Sequence, residues 1–103
     1  MSANPHRGEA ALDLGEQRFV LRPTFTALVA AEEELGPLFA VVEKASAGQL
    51  RLTEMVALFW HCLRDRDDAL TRDVLGQMVA EAGLAQCTPA LRAVLVQILQ
   101  GAG

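Results

Sequence analysis

Apolar and polar positions alternate through the first part of this chain and then take up helical spacing. Leu12 and Leu14 share one face of Glu9–Leu14, and Phe19 and Leu21 share one face of Arg18–Arg22. That period of two marks strands with one covered side. Gly15-Glu16-Gln17 stands between the arms, and glycine reaches the positive φ that a tight hairpin turn demands. The spacing therefore predicts a β-hairpin. Pro23 ends its ladder, and Thr24 is placed to cap a helix.

Five helical segments are predicted beyond that point. Thr24–Leu35 carries Phe25, Leu28, Val29 and Leu35 on one side, and Gly36-Pro37 breaks it. Pro37–Ala47 has Leu38, Val41, Val42 and Ala45 at helical spacing and stops at Gly48. Thr53 is the expected cap of the third helix, where Leu52, Met55, Val56, Phe59, Trp60 and Leu63 form the cleanest amphipathic stripe. This helix is expected at the centre, with Phe19 and Leu21 of the hairpin against Phe59 and Trp60. Arg64–Asp68 reads as a loop or a frayed helix end. Thr71 caps Arg72–Ala82, and Gly76 within it, at a cost of up to ~1 kcal/mol relative to alanine, suggests a close helix crossing. Gly83 closes that helix, and Thr88-Pro89 is expected to open the last one, with Leu91, Val94, Leu95, Val96, Ile98 and Leu99.

The fold class that follows is α+β, a two-stranded hairpin packed on a bundle of four to five α-helices. An isolated hairpin is marginal in water, so its apolar face has to lie on the helices. Residues 1–8 read as a flexible N-terminal arm, 9–100 as a single domain, and the last few residues as a disordered tail.

Two surfaces stand out as candidates for contact. From Leu84 onward only Arg92 is charged, and Val96 widens the apolar face of the last helix beyond one stripe. Such a helix is either buried within the domain or covered by a subunit or client, through Leu91, Leu95, Val96 and Leu99. The second surface is Glu32-Glu33-Glu34, at a helix end whose dipole disfavours acids. It is a solvated face or a patch read by a basic segment. Within an assembly, His6 and Arg7 of one subunit could dock on the acidic end of the next, Glu32, Glu33 and Glu34.

Composition narrows the classes further. At 103 residues the chain suits one core, and 51% apolar content excludes a disordered chain. The net charge is −4 and the basic residues are dispersed among acids, as in Arg64-Asp65-Arg66-Asp67-Asp68. Direct nucleic-acid binding is therefore not expected. No apolar run approaches the ~18 residues of a membrane span, and no secretory signal is visible. Cys62 and Cys87 stand singly. A cytoplasmic protein with reduced thiols is the expectation.

Catalytic chemistry finds no support in the residues. His61 and Cys62 point about 100° apart on a helix and cannot face each other; a surface His61 and a buried Cys62 are expected. His61 and Asp65 could pair, but one histidine and one carboxylate do not make a metal site. The Asp65, Asp67 and Asp68 run lacks the glycine and terminal glutamate of a calcium loop. Phosphate-loop, nucleophile-elbow and H-E-x-x-H motifs are absent. A helix-turn-helix reader fails as well, because the last helix offers only Arg92 and two glutamines. The chain reads as a non-enzyme without cofactor or metal.

The order of Asn4-Pro5-His6-Arg7-Gly8-Glu9, a hairpin, Leu21-Arg22-Pro23-Thr24-Phe25 and an acidic helix closed by Glu34-Leu35-Gly36 resembles one family. It is similar to the small tail assembly chaperones of gene transfer agents and related tailed phages. The resemblance runs from Asn4 to about Leu99, and it rests on layout more than motif in the helical part. It implies a non-enzymatic protein, acting as a homo-oligomer, that coats the tape-measure protein until the tail tube protein polymerises around it. The alternatives are a structural tail or connector component retained in the particle, and a small regulatory adaptor.

Overall fold

The computed structural model describes residues 8–101 and has the predicted α+β class. Strands β1 (Ala10–Leu14) and β2 (Gln17–Leu21) are followed by helices α1 (Phe25–Leu35), α2 (Leu38–Ser46), α3 (Leu52–Cys62), α4 (Arg72–Ala82) and α5 (Leu84–Gln100). The strands pair antiparallel, with Leu12 opposite Phe19 and Leu14 opposite Gln17. Gly15 takes φ 61° at the first central position of the two-residue turn, which is where a type II′ hairpin needs glycine. The proposed arm, with His6 and Arg7, lies outside the described residues.

The hairpin's floor differs from the expected one. The buried face of β1, made of Ala10, Leu12 and Leu14, runs mainly along α5. Helix α3 holds β2 by backbone instead. Leu21 bridges Leu63, the Arg22 N–H donates to the Cys62 carbonyl at 2.7 Å, and the Arg64 N–H donates to that of Val20 at 2.9 Å. Phe19 is only half-buried, and the Trp60 ring carries Arg66 at 4.5 Å and Arg72 at 6.0 Å. Placing α3 between α1 and α4 buries more than the amphipathic stripe. Ala57 and Leu58 are inside together with Met55, Val56, Phe59 and Cys62, while Leu52 is exposed.

Helix α1 corrects the sequence reading most clearly. Phe25 is 84% exposed and Val29 is also on the surface, whereas Ala31 is fully buried and Ala27, Leu28 and Leu35 pack against the core. Ala31 is the one fully buried residue of the helix, and a small side chain there lets two helix axes approach. Of the four large apolar residues expected on the covered side, Leu28 and Leu35 are there, while Phe25 and Val29 are not.

Two predicted caps are also corrected. Thr24 and Thr71 do cap α1 and α4, accepting from the N–H groups of Ala27 and Val74. Thr53 does not cap α3: Arg51 is the extended flanking residue, and its N–H donates to the Glu54 carboxylate at 3.0 Å. Thr88 is likewise no cap. Helix α5 starts directly after Gly83, whose φ of 92° turns the chain through 117° from α4. Pro89 therefore sits inside α5 and withholds a donor from the Ala85 carbonyl, while the Thr88 hydroxyl donates to the Leu84 carbonyl at 3.1 Å. Burial of Cys87 and Ala90 on the same face holds this first stretch helical despite the lost bond.

A β-carbon added at Gly76 would meet Val56 Cγ1 at 3.9 Å, an ordinary contact distance, so the α3–α4 crossing does not require glycine. Gly76→Ala is accordingly expected to stabilise the protein by ~0.5–1 kcal/mol through lower unfolded-chain entropy. A thermal melt checks this. A lower Tm would contradict the open contact distance to Val56 and show that the methyl disturbs the α3–α4 packing.

Candidate partner-binding groove

Helix α2 packs chiefly on α1 and stands off from α5. The space between α2 and α5 is a groove of about 380 Å³. On one wall are Val42, Ala45 and Ser46 of α2; on the other are Thr88, Leu91, Arg92, Leu95, Val96 and Leu99 of α5. The structure thus brings together all four α5 residues singled out in the sequence. They are not equivalent. Leu91 and Leu95 are half-buried and pack against the core, whereas Val96 and Leu99 are 42% and 53% exposed. Val94, Ala90 and Cys87 form the buried stripe of the same helix. The α5 surface is therefore split, one side inside the fold and the other lining the groove. Val42 and Ala45 were visible as part of the α2 periodicity, but which helix they would face was not. Of that periodic set only Val41 is buried.

The acidic run at the end of α1 is divided among three different jobs. Glu32 turns back to accept the Leu38 N–H at 3.1 Å, so its carboxylate caps the start of α2, where Pro37 offers no side-chain cap. Glu33 is exposed. Glu34 accepts from Arg72 at 2.6 Å and lies 2.8 Å from His61 Nε2, joining α1 to α3 and α4. His61 thus meets Glu34, not Asp65, and it is half-buried where a surface position was expected. Arg7, offered as the partner of Glu32, Glu33 and Glu34, is outside the described residues.

The Arg72 hydrogen bond, and after it that of His61, holds the Glu34 carboxyl below its ordinary value of 4.5. A depressed carboxyl pKa stabilises the fold above the unfolded value, and the gain is lost as pH falls through the folded one. The side chain is 40% exposed, so solvent screening limits the gain to ~0.2–1 kcal/mol. Glu34→Gln is expected to melt a few degrees below wild type at neutral pH. The gap should close on acidification below the ordinary carboxyl range; a gap that persists there would assign the loss to packing.

Burial pushes the Cys62 thiol up to about 12 and raises that of Cys87 as well, so both remain protonated and unreactive near neutrality. Among the described residues no group of three or more His, Cys, Asp or Glu could hold a metal ion. No single described helix is long and apolar enough to cross a membrane.

One element was not singled out in the sequence. Glu9, 3% exposed, accepts a 2.6 Å hydrogen bond from Arg64 Nη1, and it pins the start of β1 to the segment after α3. Its place at the head of an alternating strand gave no sign of burial.

An apolar groove between two helices, rimmed by one cation and two hydroxyls, is a surface of the kind that receives protein. The chain belongs to a family of gene transfer agent and phage tail proteins: the family model described as phage tail tube protein, GTA-gp10, matches residues 7–101. No curated protein and no solved structure matches it.

Proposed function

We propose that this protein is a tail assembly chaperone that holds an amphipathic helix of the tape-measure protein in the α2–α5 groove. The observation that carries the reading is the groove itself, with Val96 and Leu99 left open beside Val42 and Ala45. A helix laid there would cover these side chains, and an acidic residue on its polar edge would meet Arg92. A tape-measure protein is long and helical and would expose many such stripes before the tube forms, so several copies would line up along one client. Tube subunits polymerising on the same client would displace them by mass action, with no nucleotide, metal or catalysis. Residues 9–100 would act as one unit, in the cytoplasm, where assembly takes place.

The family's description as tail tube proteins favours a second reading, a structural subunit retained in the tail. Co-expression with the tape-measure protein of the same tail, followed by cross-linking, separates the two. The chaperone reading expects a soluble complex with cross-links concentrated on α2 and on Leu91–Leu99. Cross-links only between copies of this chain within an assembled tube would favour the structural subunit.

A further inference from the structure

The edge of β2 that faces away from β1 is covered over only part of its length. Backbone groups of successive strand residues point to opposite edges. The Val20 carbonyl accepts from Arg64 and the Arg22 N–H donates to Cys62, so the groups of Arg18, Val20 and Arg22 face outward. The covering segment leaves the edge at Asp65, whose φ of 55° is the left-handed conformation that turns the chain aside. Among the described residues, the Arg18 N–H, the Arg18 carbonyl and the Val20 N–H have no hydrogen-bond partner.

That open edge is one wall of a groove of about 490 Å³, and Leu70, Val74 and Met78 line it opposite. Arg66 also lines the groove. Its guanidinium lies over the Trp60 ring, and it has no carboxylate partner among the described residues. Asp65 and Asp67 line the groove too, but Asp65 is held by Arg64 at 3.2 Å and Asp67 accepts the Ala69 N–H at 3.0 Å. Backbone donors and an acceptor in a row, an apolar wall and a cation with no ion pair among the described residues thus converge on one place.

We propose that an extended segment of a partner protein adds to β2 as a further strand, pairing with Arg18–Val20 and presenting an acidic side chain to Arg66. The occupant is an extended chain because a strand offers free C=O and N–H groups in alternation, whereas a helix has used its own. Its alternate apolar side chains rest on Val74, Met78 and Leu70. The cation selects an acidic segment over a neutral one. This site shares no lining residue with the α2–α5 groove and stands whether or not a helix binds there.

Octapeptides selected from a random displayed library on the full chain supply the probe. The tightest one is synthesised plain and with N-methyl groups at alternate backbone nitrogens. Strand addition predicts that the plain peptide slows amide exchange at Arg18 and Val20 and that N-methylation weakens its Kd at least about tenfold. Arg18→Pro should weaken it comparably. Proline is tolerated at an edge where the lost N–H faces outward, so the β1–β2 ladder stays intact. Arg66→Glu, which leaves the backbone edge untouched, should also weaken binding about tenfold, and it carries the test if Arg18→Pro does not fold. Failure to select any binding octapeptide, protection at Leu91–Leu99 in place of β2, or equal affinity of the N-methylated peptide would each overturn the proposal.

Discussion

Phe59→Ala is expected to destabilise the protein by ~3–5 kcal/mol, the range for removing a large aromatic from a packed core. The ring is fully buried on α3, the helix that lies between α1 and α4 and whose end bridges β2. Nothing but solvent or a void can replace it without moving three elements. Proteins of this size have ~5–15 kcal/mol in total, and each kcal/mol shifts Tm by roughly 4–8 °C. The variant should therefore melt at least about 12 °C lower, and at the low end of native stability it would be largely unfolded at ambient temperature. Phe19→Ala should cost clearly less, because that ring is half-buried. Equal losses for the two would show that the hairpin depends on Phe19 as the sequence suggested, and would contradict the burial order seen here.

Val96→Glu is expected to leave the fold intact and to weaken client binding at least about a hundredfold, or ~3 kcal/mol. Val96 is exposed on α5, so a carboxylate there remains in water while the groove is empty. An apolar helix lying on it would lose the Val96 contact and cover a charge, and a carboxylate one turn from Arg92 would compete for the cation that the client's acidic residue needs. The free protein should melt within ~0.5 kcal/mol of wild type, as ordinary surface substitutions do. Leu95→Glu is the contrasting control. Leu95 packs against the core, so the same carboxylate there should unfold the protein rather than only block the groove. Unfolding by Val96→Glu, seen as loss of circular dichroism, would place the whole α5 face inside the core and leave no groove for a client.

The hairpin was legible because alternation, a turn glycine and a terminating proline all point the same way, and each has a local physical cause. The helices were legible for the same reason, wherever glycine separated them. Information that depends on tertiary neighbours was not legible. Phe25 and Phe39 are 84% and 75% exposed although their size argues for burial, and Ala31 is buried although its size argues for nothing. The caps at Thr53 and Thr88 failed because a threonine near a helix start competes with Glu54 in one case and with the burial of Cys87 in the other. As for the candidate site, the α5 half could be read from the scarcity of charge after Leu84. Its α2 half could not, because helical periodicity says which residues share a face and not which helix they meet. The Glu9–Arg64 pair spans 55 positions and had no sequence signal at all.

Quantifying this chain in purified tail particles against its amount bound to the tape-measure protein in assembling cells decides between the chaperone and the structural subunit. A chaperone seated in the α2–α5 groove should be abundant on the tape-measure protein before the tube forms and absent from finished particles. It should also be lost from the tape-measure protein in the Val96→Glu variant. Stoichiometric retention in finished particles, at a fixed number of copies per tail, would contradict the chaperone and make the chain a structural part of the tail.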